Sequence, residues 1–268
     1  MAVDPVEACR VRSGLELAGH DPGETFGWNK QQAREELAGV LSEVSEMQKR
    51  LFASKAAAVL LVLQAMDAGG KDGTIREVFT SLNPAGIDVS SFGVPSEDDL
   101  AHDFLWRVHR RTPSKGRIGI FNRSHYEDVL VVRVNSLVPK SVWRKRYGHI
   151  CEFERLLSDE GTHVFKLFLH ISKEEQRQRL QDRIDDPTER WKFRSGDLDE
   201  RARWNQYMEA YEEALAKTSV DHAPWYVVPG DRKWARNLVV AKIVHHHLGK
   251  IDCRYPPPEP GIEGLVVE

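Results

Sequence analysis

The chain is predicted to be an α/β protein, a five-stranded parallel sheet covered by helices on both faces, in one domain. Three observations carry this. Short apolar-rich runs recur at residues 57–63, 87–92, 117–121, 164–171 and 225–228, and the first holds enough Val and Leu to be buried on both faces. Segments of helical period separate the runs. The first run ends in a glycine-rich turn, Met66-Asp67-Ala68-Gly69-Gly70-Lys71-Asp72-Gly73, which opens into a helix.

Taken in order, residues 1–30 carry scattered Pro and Gly and one aromatic pair, Phe26 and Trp28. They are expected to form an irregular arm that packs on the main body or on a neighbouring subunit. Residues 30–52 read as a long amphipathic helix, with Leu37, Val40, Leu41, Val44, Met47 and Leu51 near helical spacing. After the glycine-rich turn, a helix is expected over 74–82, with Ile75, Val78 and Phe79 on one face. Asn83-Pro84-Ala85-Gly86 is a turn before the second strand. Ser96, followed by Glu97, Asp98 and Asp99, reads as an N-cap with acidic first-turn residues, starting a helix that runs to Arg110. Further helices are expected over 140–157, 172–183, 198–216 and 235–248, and the tail 255–268, with three consecutive prolines, is expected to be extended.

Composition narrows the class. At 268 residues, with 41% hydrophobic and 29% charged residues, the chain suits a globular enzyme with a sizeable core. A net charge of -3 gives no global basic field, so a polyanion would need a local patch. Cys9, Cys151 and Cys253 lie far apart, which argues against a zinc site or disulfide framework and suits a reducing compartment. No secretory h-region and no 18-residue apolar run is present, so a cytoplasmic protein without membrane association is expected.

Strand, glycine-rich turn with lysine, then helix is the architecture of a phosphate-binding loop. The backbone amides of Ala68, Gly69, Gly70, Asp72, Gly73 and Thr74 would converge on an anion to which Lys71 adds a mobile charge. Against G-x-x-x-x-G-K-[ST], Ala65 replaces the first Gly and Asp72 the Ser/Thr that usually helps to hold the metal. Asp67 is therefore the candidate metal ligand; bonding to loop amides is its competing role. After the third strand stands Asn122, an uncharged acceptor where a Walker-B enzyme presents Asp, followed by Arg123, which can grip phosphate oxygens in a fork or pair with Glu127 or Asp128.

Residues 106–117 and 129–150 are rich in basic residues and contain no acidic one, and suit a polyanion lying in a groove. No nucleic-acid-binding module is recognisable. Residues 183–194 mix acids and bases with Trp191 and Phe193; Arg183, Arg190 and Lys192 there suit a mobile lid closing over phosphates, with a rigid helical hairpin as the alternative. His245-His246-His247 reads as a helix terminus rather than a metal tract, and Tyr207 and Tyr211, with Trp204, as core packing.

Together these pieces resemble the polyphosphate kinase 2 family. LVLQAMDAGGKDGTI (61–75), NPAGIDVSSFGVP (83–95), DFLWRVH (103–109), IFNRSHYEDVLVVRV (120–134), HIS-x-EEQ (170–176), RIDDPTERWKFRSGDL (183–198) and DHAPWYVVP (221–229) span the chain from about residue 30 in the family's order. The resemblance implies a P-loop kinase fold similar to thymidylate kinase, with a lid over about 172–205, and phosphoryl transfer between inorganic polyphosphate and nucleotides with Mg²⁺, or Mn²⁺ in its place. It implies Asp67 as the acid organising Mg²⁺, Lys71 as the phosphate-binding lysine and Arg123 as stabiliser of the transferring group. Arg133, Arg183, Arg190 and Lys192 would be further phosphate contacts. Many relatives carry Asp-Arg-Ser where this chain has Asn122-Arg123-Ser124; the form here is similar to the class III branch, which accepts AMP as well as ADP, giving ADP and ATP. Glu127 is the candidate for tuning acceptor choice, and a homodimer or homotetramer is implied. The competing readings are an ATP-dependent nucleoside monophosphate kinase, a hydrolytic P-loop switch and a non-catalytic polyanion- or nucleotide-binding module.

Overall fold

A strand apolar along its whole length has to be covered on both sides, and β1 (Ala58–Gln64) is buried at all seven positions. The computed structural model describes residues 3–262 and 264–267, so Met1 and Ala2 of the arm and Glu263 and Glu268 of the tail lie outside the described residues. With β2 (Ile87–Ser91), β3 (Ile118–Asn122), β4 (Thr162–His170) and β5 (Trp225–Pro229), β1 forms one sheet in the order β2-β3-β1-β4-β5. Every pairing in it is parallel. The helices, in chain order, are α1 (Pro5–Cys9), α2 (Lys30–Ser54), α3 (Lys71–Phe79), α4 (Glu97–Leu100), α5 (Trp106–His109), α6 (Val131–Val134), α7 (Lys140–Asp159), α8 (Lys173–Asp185), α9 (Gly196–Ala202), α10 (Trp204–Thr218) and α11 (Lys233–Gly249). Among the described residues no helix is long and apolar enough to cross a membrane.

Because successive strand residues face opposite sides, the sheet feeds two cores. Val59, Leu61 and Leu63 pack with Val44 and Leu51 of α2, Val78 and Phe79 of α3, and Val239, Val240 and Ile243 of α11. Leu60 and Val62 face the other way, towards Tyr147, Ile150 and Phe153 of α7 and Tyr211, Ala214 and Leu215 of α10.

Four expectations need correction. The arm is not wholly irregular: Asp4 caps α1, Pro5 sits at its start, and Val11 N–H donates to Trp225 O, so the arm runs beside β5. The helix after the glycine-rich turn begins at Lys71, three residues earlier than expected, because Gly70 ends the turn at φ +96° and the helix starts on it. The segment from Ser96 to Arg110 is two short helices, since Leu105 N–H turns to the Asp103 carboxylate and begins a new turn. The expected helix over 198–216 likewise divides at Arg203 into α9 and α10.

The chain leaves β1 towards β3 and β2 but reaches β4 and β5 on the other side, so the strand order reverses beside β1. In open α/β sheets the crevice outside the carboxyl ends at such a reversal is the ligand site. The register brings Leu63 opposite Asn122 and Gln64 opposite Phe168, aligning the residues that follow β1, β3 and β4 along one edge.

Leu61 is fully buried in the central strand, whereas Val89 on β2 is 52% exposed. Leu61→Ala is therefore expected to destabilise the fold by about 2–5 kcal/mol, and Val89→Ala by about 0.5 kcal/mol or less. Urea denaturation followed by circular dichroism reads both.

Candidate active site

The glycine-rich turn fits only as glycine where it is tightest. A Cβ on Gly69 would stand 2.5 Å from Ala65 Cβ and 2.7 Å from Met66 O, so backbone and side chain both refuse it. Ala68 is held at φ +59°, a conformation costly for a residue with a Cβ. The turn is supported from behind by α8: Gln176 Nε2 donates to Asp67 O at 3.0 Å and Arg179 Nη1 to Ala68 O at 3.1 Å. Arg179 Nη2 also donates to Gly230 O at 2.7 Å, joining the loop after β1 to the loop after β5.

Side chains from the strand ends meet across the edge. Arg123 Nη2 donates to Asp67 Oδ1 at 2.8 Å, and Asn122 Nδ2 to Asp72 Oδ1 at 2.6 Å. Arg123 also has a left-handed backbone, φ +61°, directly after β3. Lys71 Nζ folds back onto Ala65 O at 3.0 Å. Burial and the neighbouring Arg123 charge push the Lys71 ammonium below its ordinary range, against the pull of Asp67, Glu127 and Asp72. Burial raises the Glu127 carboxyl, opposed by Arg123 and Lys71. Arg123 is held above its usual value, the attraction of Glu127 and Asp67 outweighing burial.

Asp67, Ala68, Gly69, Gly70, Lys71, Asp72, Gly73, Asn122, Arg123, Glu127, Arg183 and Lys192 all line one open cavity of about 1460 Å³. Three expected contacts do not. Thr74 is fully buried, with its hydroxyl donating to Gly70 O, and supports the helix start. Arg133 donates to Glu213 at 2.6 Å and lies over the Trp143 ring, in a separate depression. Arg190 donates back to Ile184 O near the end of α8, and Arg194 takes a place in the cavity wall instead. The basic residues of the two runs do not line this cavity, and some of their charges are already paired. Arg117 pairs with Asp88, Arg146 with Asp128 and Arg133 with Glu213, acids supplied mostly from elsewhere in the chain.

The walls of the cavity differ. From the side covered by α2, α3 and α11 come Lys30, Arg34, Arg76, Lys233 and Arg236, with Leu37, Glu77 and Trp234 among them; from the side of α6 and α10 come Phe92, Leu130, Val131, Tyr207 and Tyr211. Tyr207 and Tyr211 are packed in the core, as expected, yet also reach this wall. The histidine tract lies within α11, where His247 bonds Tyr226 and His245 bonds Glu43.

Sequence reasoning missed Arg179 and Arg236. Arg236 is 2% exposed, and its Nε and Nη2 donate to Asn237 Oδ1 at 3.1 and 2.9 Å. It forms no ion pair among the described residues, and burial, with Arg179 adding to it, pushes its pKa down to about 10. Its Nη1 would overlap a Cβ on Gly70, so the glycine leaves room for a cation at the loop. The rule that singled out Arg123, charged residues directly after a buried strand, points after β5 to Asp231, Arg232 and Lys233 but not to Arg236, which lies in α11. Arg179, inside a charged helix, offered no such cue.

Comparison with known proteins agrees with this geometry. The family model described as Polyphosphate kinase 2 (PPK2) matches residues 27–256. The chain is 56% identical over 256 residues to the AMP/ADP-polyphosphate phosphotransferase of Meiothermus ruber, covering 95% of this chain and 96% of that one. It is 45% identical over 247 residues to the ADP-polyphosphate phosphotransferase of Rhodopseudomonas palustris, covering 88% and 86%. The crystal structure of Polyphosphate Kinase 2 from Arthrobacter aurescens TC1 superposes with a TM-score of 0.93 at 40% identity, covering 96% of this chain and 93% of that one. The family match over residues 27–256, with relatives that align over most of the chain, places this chain in the polyphosphate kinase 2 family.

Proposed function

We propose that the protein transfers the terminal phosphoryl group of inorganic polyphosphate to AMP and ADP, reversibly and with Mg²⁺. The observation that carries this reading is the unequal cavity: one wall supplies cations in series, the other aromatic and aliphatic surface beside the same phosphate loop. A long inorganic polyanion suits the first wall and a single nucleoside the second.

In this reading Lys71, Arg123 and Arg236 draw charge off the transferring group and the phosphates behind it, and the loop amides fix their positions. The attacking oxygen belongs to the acceptor's own phosphate, already ionised, so no general base is required. Asp67 gives one carboxylate oxygen to Arg123, and the other accepts no hydrogen bond among the described residues. That oxygen fits a Mg²⁺ ion held mainly by substrate phosphates and water, since no cluster of three metal-ligating side chains is present among the described residues. When bound, the ion would neutralise charge on the phosphates. The segment carrying Arg183, Lys192 and Arg194 closes as a lid, excluding water and so favouring transfer over hydrolysis. Glu127, between the loop and the aromatic wall, tunes acceptor choice.

Incubation with AMP, Mg²⁺ and long-chain polyphosphate, without ATP, should yield ADP and then ATP with little free phosphate. Steady phosphate release, or no turnover until ATP is added, would refute the reading. Asp67→Asn and Arg123→Ala should each lower turnover by at least about 10²-fold with an unchanged melting temperature; near-normal turnover removes the role given to that residue. Arg236→Met should raise KM for polyphosphate about tenfold or more, the loss of a charge-assisted contact, with KM for AMP little changed. Bound phosphate should also raise the depressed Lys71 pKa towards its ordinary value. Polyphosphate binding in the alkaline range should then take up protons, seen by calorimetry in buffers of different ionisation enthalpy, and Lys71→Met should abolish the uptake.

A further inference from the structure

Between Arg123 and Glu127, which line the cavity, stand three residues that do not: Ser124, His125 and Tyr126 are each 0% exposed. They point into the core. Ser124 Oγ accepts from Gln64 Nε2 and from Tyr126 N–H, both at 3.1 Å, tying the turn to the end of β1. Tyr126 OH bonds Glu154 Oε1 and Thr218 Oγ1, each at 3.0 Å, and His125 Nε2 lies 3.2 Å from the same Glu154 oxygen. The other Glu154 oxygen accepts from Lys166 Nζ at 2.5 Å, and Lys166 donates again to Thr218 O at 2.8 Å. Glu154 and Lys166 are both completely buried. The network thus joins α7, β4 and the end of α10, and Trp225 Nε1 of β5 completes it by donating to Thr218 Oγ1 at 2.9 Å.

Stability does not explain an ion pair in this place. Desolvating two charges costs about as much as their attraction returns, and apolar residues of similar volume commonly pack as well or better. Direction does explain it. Arg123 holds a backbone of φ +61°, which persists only where surrounding contacts over-determine it. His125 and Tyr126 follow within three residues and are fixed by the same carboxylate. We infer that the buried Glu154–Lys166 pair is a positioning device: through His125 and Tyr126 it sets the turn after β3 and so aims Arg123 at the transferring phosphoryl group. Neither Glu154 nor Lys166 lines the cavity, so the pair acts through the elements it joins, and of these the turn after β3 is the one that carries Arg123.

The inference rests on the phosphotransfer reading, so wild-type turnover with AMP and polyphosphate is measured first, and its absence would sink both. The test is a cycle between the double replacement Glu154→Leu/Lys166→Met, which leaves no orphan charge, and Arg123→Lys. In the otherwise wild-type protein the double replacement should lower kcat at least tenfold, with KM for AMP and for polyphosphate within threefold and melting within a few degrees. In the Arg123→Lys background the same replacement should lower kcat by less than twofold, because the group it aims is already compromised. Wild-type kcat in the folded double variant, or the same fold loss in both backgrounds, would overturn the inference. Should the double variant not fold, Tyr126→Phe removes a single hydroxyl. It should lower kcat severalfold in the wild type and not in Arg123→Lys; equal losses in both overturn the inference in the same way.

Discussion

A buried guanidinium that forms no salt bridge among the described residues, with only the more distant Glu77 to offset its charge, is the constraint on which the site depends. Arg236 is in that position: almost wholly buried, bonded to an amide rather than an acid, with Arg179 close enough to push its pKa down further. Such a charge is costly in the free protein, because a buried ion needs a partner to repay its lost hydration. In the proposed function, an anion at the glycine-rich loop supplies that partner. The glycine at position 70 gives the arginine its space, and Arg179 braces the loops on either side of it.

From this follows a division of labour across the sheet. The helices on one face reach the carboxyl edge with lysines and arginines, while those on the other arrive with tyrosines and aliphatic side chains. In the proposed function the two ligand chemistries are therefore separated by the sheet itself, with Asp67, Lys71 and Arg123 at the seam. A nearly neutral molecule can hold a polyanion in this way, since the cations need only be gathered locally and not outnumber the acids overall. Beneath the seam lies the buried Glu154–Lys166 network, bonded to His125 and Tyr126 of the turn that begins at Arg123.

What was legible in the sequence follows from locality. The β1 run and the glycine-rich turn after it declare themselves within twenty residues, so Asp67, Lys71 and the sheet architecture could be read directly, and Arg123 by its place after an apolar strand. Arg117 and Arg133 misled because their partners, Asp88 and Glu213, are 29 and 80 residues away. An acid-free window of sequence says nothing about acids that tertiary contacts bring in. The break at Arg203 escaped because α9 and α10 share a helical pattern in sequence, and only the backbone at Arg203, φ -92° and ψ 18°, departs from it. Arg179 was invisible because its role is set by backbone carbonyls of Ala68 and Gly230, which no side-chain pattern records.

The most direct measurement is a crystal structure of the protein with tripolyphosphate and AMP. The account predicts phosphate oxygens within hydrogen-bond reach of Lys71 Nζ and Arg236 Nη1, the chain running towards Arg232 and Lys233, and the adenine against Tyr207 or Tyr211. A phosphate chain seated along Arg107, Arg110 and Arg117, with Arg236 left unpaired, would contradict it.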